Sequence, residues 1–443
     1  MSGRLAWRGG EPADLTILGG RVVDPRENLD SVLDIHLRGG TIAEISEPGS
    51  TAPAGDAFDA GGMLVMPAFT DPHVHLRTPG QEGKETIATG TAAGAVGGYS
   101  QLIAMPNTSP AIDGPDILRG ILARAAEEAV IPTGQMGAIT LALKGDALTE
   151  MDLMREAGAA GLTDDGMPVA NAGVLRKALR YQSLVGLTIA LHEEDTSLSL
   201  GAPMNEGEVS ARLGLRGQTG LAESTMIARD CAIAEAEGAR IHVQHVSDSR
   251  SIDAIRLAKE RGLAVTAEAS PHPLLLTEGA CSTLDTRTKM NPPLRFEHDR
   301  LALIAALADG TIDCVATDHA PHSLDEKEQP FEDAPFGVTG LETSFAALYQ
   351  ELVGEDKLQL RTLVERMTSG CIPFGIPEPR LQVGRNAEIA VFDPTCSWVA
   401  GQGGWASRSA NSAFAGWRFG GRIALTIAGG VKVHTLERSG DRS

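Results

Sequence analysis

An alternation of apolar, strand-like runs with helix-like segments constrains the fold of this chain more than any other feature. Segments rich in Ala, Leu, Glu and Arg, such as residues 222–236 and 252–261, separate most of the runs. The eight runs lie at residues 66–69, 101–104, 134–139, 159–162, 187–191, 241–244, 264–267 and 312–316. Strand–helix repetition with eight strands is typical of a closed parallel barrel. The sequence therefore predicts an α/β protein whose main domain is a (β/α)8 TIM-like barrel.

Both ends of the chain instead contain short β-like runs separated by turns, and no helix-like segment precedes residue 60. Gly-Gly pairs mark turns between the first runs. The runs lie at residues 14–23, 33–37, 41–45, 388–392, 423–427 and 431–434. We expect a small β-sandwich built from both termini, with residues 1–66 and 376–443 flanking a barrel at residues 67–375.

The composition excludes several partners and compartments. With 38 Lys and Arg against 58 Asp and Glu the net charge is −20, so we expect no binding to nucleic acid or to an acidic membrane surface. An anionic substrate would need a local cation in its site. Five cysteines without a C-x-x-C pair, no apolar leader and no apolar run of the ~18 residues that span a bilayer indicate a reduced, cytoplasmic protein.

His73 and His75 form an H-x-H pair at the end of the first predicted strand. Side chains at positions i and i+2 of a strand point the same way, so two imidazoles inside a barrel can share one metal ion. An isolated pair would more simply be two polar residues in a turn after Pro72.

Further imidazole and carboxylate groups follow other predicted strands. His192 ends the fifth run, His245 ends the sixth, Asp318 ends the eighth, and the pair Asp164-Asp165 follows the fourth. Active-site groups of a barrel gather at the C-terminal ends of its strands. The pattern therefore predicts a site for Zn²⁺ or a similar divalent ion, with one or two ions.

The local sequence leaves the choice between Asp164 and Asp165 open, because Asp-Gly is also a common turn pair. His242 lies three residues before His245, points to the opposite side of that strand and is predicted to be structural. Three other histidines are predicted to be surface or packing residues: His36, His298 and His434.

Six short motifs occur in order along the chain. They are DPHVHLR (71–77, followed by PGQEGKET), MPNTSP (105–110), TDDG (163–166), NEGEVS (205–210), MNPPLR (290–295) and ATDHAPH (316–322). Together they span essentially the whole chain and resemble the motifs of dihydroorotases within the amidohydrolase superfamily. The resemblance is to the long bacterial type, which can associate with aspartate transcarbamoylase.

The resemblance implies which residues hold metal. His73, His75 and Asp318 would hold a first ion, and His192 and His245 would hold a second. Asp165, rather than Asp164, would take the bridging position, where many relatives have a carboxylated lysine that GLTDDG does not offer. Relatives often show two adjacent histidines after the seventh strand, but here Pro273 follows His272, and no role is assigned to His272.

The resemblance also implies the substrate contacts. Arg77, Asn107 and His322 match residues that bind a substrate carboxylate, for which the fork of an arginine is well suited. Three further candidate substrate contacts are Asn291, Phe336 and Gly337, the last two in a segment at 326–341 that we expect to form a loop over the site. The simpler interpretations are a rim salt bridge for Arg77, turn residues for the two asparagines and an ordinary solvated loop.

The implied activity is the reversible hydrolysis of the cyclic amide of L-dihydroorotate to N-carbamoyl-L-aspartate in pyrimidine biosynthesis. A divalent ion would activate water toward hydroxide, and Asp318 would act as general acid and base. Alternatives are another cyclic amidohydrolase, such as an allantoinase or hydantoinase, and a non-catalytic scaffold for aspartate transcarbamoylase. The implied partners are the small anionic substrate, aspartate transcarbamoylase and further copies of the chain in a homo-oligomer.

Overall fold

Both ends of the chain contribute strands to one eight-stranded sheet, which we name the terminal sheet. The structure is a computed structural model, and it describes residues 4–53 and 55–436. The strands of the terminal sheet are Leu15–Asp24, Leu29–Arg38, Thr41–Ser46, Asp56–Asp59, Leu64–Pro67, Ile389–Asp393, Arg422–Ala428 and Val431–Thr435. Leu64–Pro67 pairs with Leu15–Asp24 on one side and with Ile389–Asp393 on the other, so a single ladder joins the two ends.

Eight central strands come in the sequence between the N-terminal and C-terminal strands of the terminal sheet. All the pairings among these eight strands are parallel. They are β1 (Phe69–Val74), β2 (Tyr99–Ala104), β3 (Thr133–Gln135), β4 (Leu162–Thr163), β5 (Ile189–Leu191), β6 (Ile241–Val243), β7 (Val265–Ala269) and β8 (Cys314–Val315). The first three form one sheet and the other five form a second, each in chain order.

Single parallel bridges connect the edges of these two sheets. Gly137, just after β3, pairs with Leu162 of β4, and Val74 of β1 pairs with His319, just after β8. Because all eight strands run the same way, their carboxyl ends lie on one side of the molecule, as the sequence predicts for the candidate site.

The first predicted strand, at residues 66–69, does not match the structure. Residues Leu64–Pro67 belong to the terminal sheet, and β1 begins only at Phe69, so that His73 lies within the strand. Every residue from 63 to 74 is buried, so no polar alternation marks the point where one strand ends and the next begins.

Helices follow most of the central strands, and the two that the sequence predicts are confirmed at Leu221–Glu237 and Ser249–Glu260. The other α-helices are Ile87–Val96, Pro115–Glu128, Met151–Ala157, Ala172–Val185, Thr196–Ser199, Glu208–Leu213, Pro271–Leu275, Glu297–Asp309, Leu324–Lys327, Ser344–Leu348 and Leu360–Thr368. Short 3-10 turns lie at Leu141–Leu143, Glu278–Thr283, Thr286–Thr288 and Ile372–Phe374, and a π-helical turn at Tyr349–Val353.

Two short strand pairs complete the structure. Met204–Asn205 pairs in parallel with Gly217–Gln218, and Trp398–Val399 pairs antiparallel with Arg418–Phe419. Among residues 4–53 and 55–436, no helix combines the length and the apolar character needed to cross a membrane.

Local signals fix the helix ends. Asp248 accepts a hydrogen bond from the backbone N–H of Arg250 and so caps Ser249–Glu260, and Asn171 caps Ala172–Val185 in the same way. Gly186 ends the latter helix with a φ of 75°, a left-handed conformation that favours glycine. These caps fix the ends of two helices that follow central strands, β4 and β6.

Candidate active site

The six side chains that the resemblance implies as metal ligands meet at the carboxyl ends of the central strands. They form two groups of three, each with its ligand atoms within 4.8 Å of one another: His73, His75 and Asp165, and Asp165, His192 and His245. Asp318 joins the first group, because its Oδ1 lies 3.0 Å from His75 Nε2 and 3.6 Å from His73 Nε2. Residues up to 245 positions apart in the sequence therefore converge on one centre.

Asp165 lies between the two groups. Its Oδ1 is 3.3 Å from His73 Nε2 and 3.6 Å from His245 Nε2, and its Oδ2 is 3.5 Å from His75 Nε2. Burial opposes the charge of this carboxylate, but the surrounding imidazoles hold its pKa well below the ordinary value of an aspartate. Asp165 is therefore an anion shared by both groups.

Asp164 has a different environment from its neighbour. Its carboxylate accepts hydrogen bonds from the backbone N–H groups of Ile139 (2.8 Å) and Thr140 (2.9 Å) and from the Thr140 hydroxyl. These contacts tie the loop after β3 to the loop after β4. The geometry thus separates the two aspartates that the local sequence leaves equivalent.

Outer partners orient the imidazoles of the cluster. His73 Nδ1 donates to Glu268 Oε1 (2.6 Å), His75 Nδ1 donates to Asn107 Oδ1 (2.9 Å), and His192 Nε2 donates to Glu194 Oε2 (3.3 Å). In each ring the other nitrogen faces the centre: His75 Nε2 lies 3.0 Å from Asp318 Oδ1, and His192 Nδ1 lies 2.8 Å from His245 Nε2. This arrangement is typical of metal-ligating histidines, whose second nitrogen is held by a carboxylate or carbonyl.

The cluster fits a divalent cation. His73 Nε2 is buried and has no hydrogen-bond partner among residues 4–53 and 55–436, although it lies 3.3 Å from Asp165 Oδ1 and 3.6 Å from Asp318 Oδ1. Burial alone would lower the pKa of His73, but the negative charges of Asp165 and Glu268 raise it well above the ordinary value. The surroundings of this imidazole therefore favour positive charge, and imidazole with carboxylate is a donor set that suits zinc.

Asp318 lines the cavity in front of the cluster. Burial raises the pKa of its carboxyl group, but the hydrogen bond with His75 and the charge of His73 lower it to about 2. Asp318 has a φ of 47°, a conformation that costs energy for any residue other than glycine. Such strained residues cluster at functional sites, where the surrounding structure holds them.

A cavity of about 210 Å³ opens onto the cluster. All six residues predicted to contact substrate line it: Arg77, Asn107, Asn291, His322, Phe336 and Gly337. Five of the six predicted ligands also line it: His75, Asp165, His192, His245 and Asp318. His73 lies behind them and is fully buried.

Arg77 supplies a positive charge to one wall of this cavity. Its Nε donates to the carbonyl of Pro321 (3.1 Å) and its Nη2 donates to His322 Nε2 (3.2 Å), while His322 Nδ1 donates to Glu326 (3.2 Å). Burial, together with the charge of Arg77, lowers the pKa of His322 to about 3, so this imidazole is neutral. These two hydrogen bonds of the guanidinium are with uncharged groups, which leaves its charge available to an anion in the cavity.

The two asparagines already have partners within the site. Asn107 holds His75 through its carbonyl oxygen, and its amide donates to Asp165 Oδ2 (3.1 Å), so it positions two residues of the cluster. Asn291 donates to Glu194 (2.7 Å), whereas its carbonyl oxygen is buried and meets no hydrogen-bond donor in the described part of the chain. Both asparagines line the cavity, and Asn291 is the one that has a polar atom without a partner among the described residues.

Sequence reasoning missed the carboxylates that hold the imidazoles. Glu268 lies in β7, is fully buried, and binds His73, His242 Nε2 (2.9 Å) and the backbone N–H of His245 (3.3 Å). A carboxylate directly after the predicted run 264–267 was the available signal. His242 does not line the cavity and is held by Glu268 and Thr266, in agreement with its predicted structural role.

Four further histidines do not line the cavity: His36, His272, His298 and His434. His272 is buried in the helix Pro271–Leu275, and burial lowers its pKa to about 4. Buried His36 contacts Thr16 and Ser46, and the side chain of His298 is 68% exposed. Burial lowers the pKa of His434 in the terminal sheet to about 4.

Comparison with known proteins agrees with this geometry. A family model described as dihydro-orotase-like matches residues 62–251. The dihydroorotase of Desulforapulum autotrophicum is 45% identical over 421 residues, which cover 95% of this chain and 98% of that protein. The dihydroorotase of Geobacter sp. (strain M21) is 44% identical over 425 residues, with 95% and 99% covered.

Solved structures share the fold. The L-hydantoinase (dihydropyrimidinase) from Arthrobacter aurescens has a TM-score of 0.84 at 26% identity and covers 96% of this chain and 97% of its own. The dihydropyrimidinase from Brevibacillus agri has a TM-score of 0.81 at 23% identity, with 95% of each chain covered. Identity over nearly the full length is thus much higher to dihydroorotases than to these hydantoinases, and the chain belongs to the dihydroorotase family.

Proposed function

We propose that the protein is a dihydroorotase that interconverts L-dihydroorotate and N-carbamoyl-L-aspartate in pyrimidine biosynthesis. The observation that carries the proposal is the buried Arg77 on the wall of a cavity whose floor is the His and Asp cluster. Dihydroorotate is a cyclic amide that carries a carboxylate, so it needs both a cation to hold it and a centre that activates water. The identity to dihydroorotases over 95% of the chain supports the same activity.

We propose Zn²⁺ as the metal, with two ions per chain. His73, His75 and Asp318 would hold one, His192 and His245 the other, and Asp165 would contact both. When bound, the metal polarises the ring carbonyl and lowers the pKa of a water molecule. The two ligand groups that share Asp165 support the count of two.

The residues of the chain then orient the substrate and move a proton. Arg77 and His322 hold the carboxylate on one wall, so that the ring carbonyl faces the cluster on the floor. Water adds to the carbonyl carbon, and the carboxylate of Asp318 takes its proton. The C–N bond breaks as Asp318 returns that proton to the ring nitrogen, and the same steps run backwards in the synthetic direction.

We also propose that the eight central strands close into a (β/α)8 barrel and that the terminal sheet folds into a sandwich around its own core. The bridges Gly137–Leu162 and Val74–His319 support closure, because each joins an edge of one sheet to an edge of the other. A separate cluster of buried apolar side chains, which includes Ile17, Ile35 and Ile389, supports the sandwich. The domain boundaries at residues 66 and 375 stay predictions.

A substrate panel tests the activity. We expect turnover of dihydroorotate by the metal-loaded protein, and little turnover of hydantoin or allantoin, which offer no carboxylate to Arg77. Arg77→Met is expected to raise KM for dihydroorotate about 10- to 100-fold, because a hydrogen-bonded charge is lost. Arg119→Met, at an exposed ion pair with Asp116, is the matched control and should leave KM unchanged.

Two outcomes of this panel would contradict the proposal. Preferential turnover of hydantoin would assign the chain to the activity named for its structural neighbours. Absence of turnover with every substrate after metal addition would favour the non-catalytic scaffold.

Glu268→Gln is expected to weaken metal binding about 10- to 100-fold, because the neutral amide accepts more weakly from His73 Nδ1 and no longer makes that imidazole a better ligand through its negative charge. The readout is metal content by mass spectrometry after dialysis against graded concentrations of a chelator. Glu388→Gln, a partly buried glutamate that accepts from Gly429 (3.0 Å) in the terminal sheet, serves as control. Equal retention of metal by both variants would show that Glu268 does not support the cluster.

On the resemblance, we further propose that the chain forms a homo-oligomer and binds aspartate transcarbamoylase. On its scattered cysteines, we propose that it resides in the cytoplasm. Light scattering of the chain, alone and mixed with the transcarbamoylase of the same organism, tests the first two points.

A further inference from the structure

A segment that follows the predicted barrel in the sequence contacts residues that line the cavity of the candidate active site. Asn411 is only 5% exposed, and its side-chain amide contacts three backbone groups. Its Oδ1 accepts from the N–H of His322 (3.1 Å), and its Nδ2 donates to the carbonyls of Ala320 (3.1 Å) and Gly337 (3.1 Å). All three of these partners line the cavity, whereas Asn411 does not.

The backbone around Asn411 strengthens the same connection. Thr339 donates its N–H to the carbonyl of Asn411 (3.3 Å) and forms a parallel bridge with Ser412. The neighbouring residue Val338 accepts a hydrogen bond through its carbonyl from the N–H of Ala320 (2.8 Å), in the loop after β8. The chain at 337–339 therefore lies between the loop after β8 and the segment that carries Asn411.

Gly337 lines the same wall of the cavity as Arg77 and His322, and it has little room to move. Its φ of 119° is accessible to glycine, and a Cβ at this position would lie 2.7 Å from the Cβ of Ala320 and 3.3 Å from His322 Nε2. Gly337 thus packs directly against the imidazole of His322, which accepts a hydrogen bond from Arg77. A small shift of Gly337 would change the space left for a ligand beside that imidazole.

Lys327 is a second side chain, after Asn411, that donates to the carbonyl of Gly337. Its buried ammonium donates to the carbonyls of Pro335 (2.9 Å) and Gly337 (2.9 Å), so that Gly337 accepts from both Lys327 and Asn411. These bonds of Lys327 and Asn411 are with backbone groups and not with the His and Asp cluster. We therefore expect loss of either side chain to disturb the wall that faces the substrate rather than the cluster.

We propose that Asn411 is a positioning residue for substrate binding, which acts by fixing His322 and Gly337 relative to Arg77. The inference rests on the proposed function, because it assigns the substrate carboxylate to this wall. Under this proposal, different residues support the two parts of the site. Glu268, Glu194 and Asn107 hold the His and Asp cluster, whereas Asn411 and Lys327 hold the wall that binds the substrate carboxylate. Loss of Asn411 should therefore change KM and leave the metal content alone.

The test compares Asn411→Asp with the parent protein. The aspartate keeps an acceptor for the N–H of His322 but loses both bonds to carbonyls and places negative charge beside them. We expect KM for dihydroorotate to rise about tenfold or more, kcat to stay within about twofold, and metal content to stay the same. Lys327→Met, which removes the second donor to Gly337, should raise KM in the same way and provides the test where Asn411→Asp does not fold.

Asn205→Ala is the matched control, because Asn205 is an equally buried amide with partners in Glu278 (2.7 Å) and Arg295 (3.0 Å), outside the cavity. It should lower thermal stability without raising KM. Hydrogen–deuterium exchange of residues 335–341 gives a readout that does not depend on turnover, and Asn411→Asp should accelerate it.

The two proposals fail in different ways. An inactive parent protein would contradict the dihydroorotase assignment, while the exchange measurement would still test whether Asn411 holds the wall. An active parent whose Asn411→Asp variant keeps its KM, or an unchanged exchange rate at 335–341, would overturn the role of Asn411.

Discussion

Asp318→Asn is expected to reduce turnover of dihydroorotate about 10²- to 10⁴-fold in both directions, the range that a general acid and base contributes. The amide has nearly the same shape as the carboxylate but cannot take the proton of water or return it to the ring nitrogen. The low pKa of Asp318, about 2, keeps the group ionised and ready to accept that proton. Rates measured from dihydroorotate and from N-carbamoyl-L-aspartate, with circular dichroism to monitor folding, provide the readout.

Asp313→Asn is the control for this variant. Asp313 lies just before β8, and its carboxylate accepts from Lys259 (2.7 Å) and from the N–H of Ala267 (2.8 Å), away from the cavity. Its turnover should remain near that of the parent. Near-normal turnover of Asp318→Asn in either direction would remove Asp318 from the acid and base role.

The second large effect is expected at Asp165. Asp165→Asn removes the anion that both ligand groups share, so we expect the loss of at least one metal ion per chain and a fall in turnover of at least about 100-fold. Metal stoichiometry by mass spectrometry and turnover after metal addition measure the two effects separately.

The adjacent Asp164 offers an internal comparison for Asp165. Asp164→Asn weakens the bonds to the loop after β3 and should lower stability by about 1–3 kcal/mol, measured by thermal unfolding, while the metal content stays unchanged. If Asp164→Asn lost metal and Asp165→Asn kept it, the assignment of the shared anion would be reversed.

Much of the cluster could be predicted because its residues end strands. His192, His245 and Asp318 each follow a short apolar run, and the rule that parallel strands bring their carboxyl ends together is enough to expect them at one centre. The start of β1 was misplaced for the opposite reason. Where two consecutive strands are buried on all sides, the sequence has no periodicity to separate them.

The supporting residues were less accessible to sequence reasoning. Glu268 was assigned no role, because a single carboxylate in an apolar strand does not reveal which side chain it meets. Asn411 falls in the segment assigned to the C-terminal part of the sandwich, yet its partners are His322 and Gly337, more than 70 positions earlier. Such pairings depend on how distant loops pack, which strand and helix patterns do not encode.

The position of Asn411 has a consequence for any attempt to isolate the central strands. Asn411 lies in the sequence between Ile389–Asp393 and Arg422–Ala428, two strands of the terminal sheet, yet its side chain bonds to His322 and Gly337 beside Arg77. A fragment that ends before residue 389 would therefore contain the His and Asp cluster and Arg77 but would lack Asn411. We expect such a fragment to be an incomplete enzyme, because its substrate-binding wall would keep only the bond from Lys327 to Gly337.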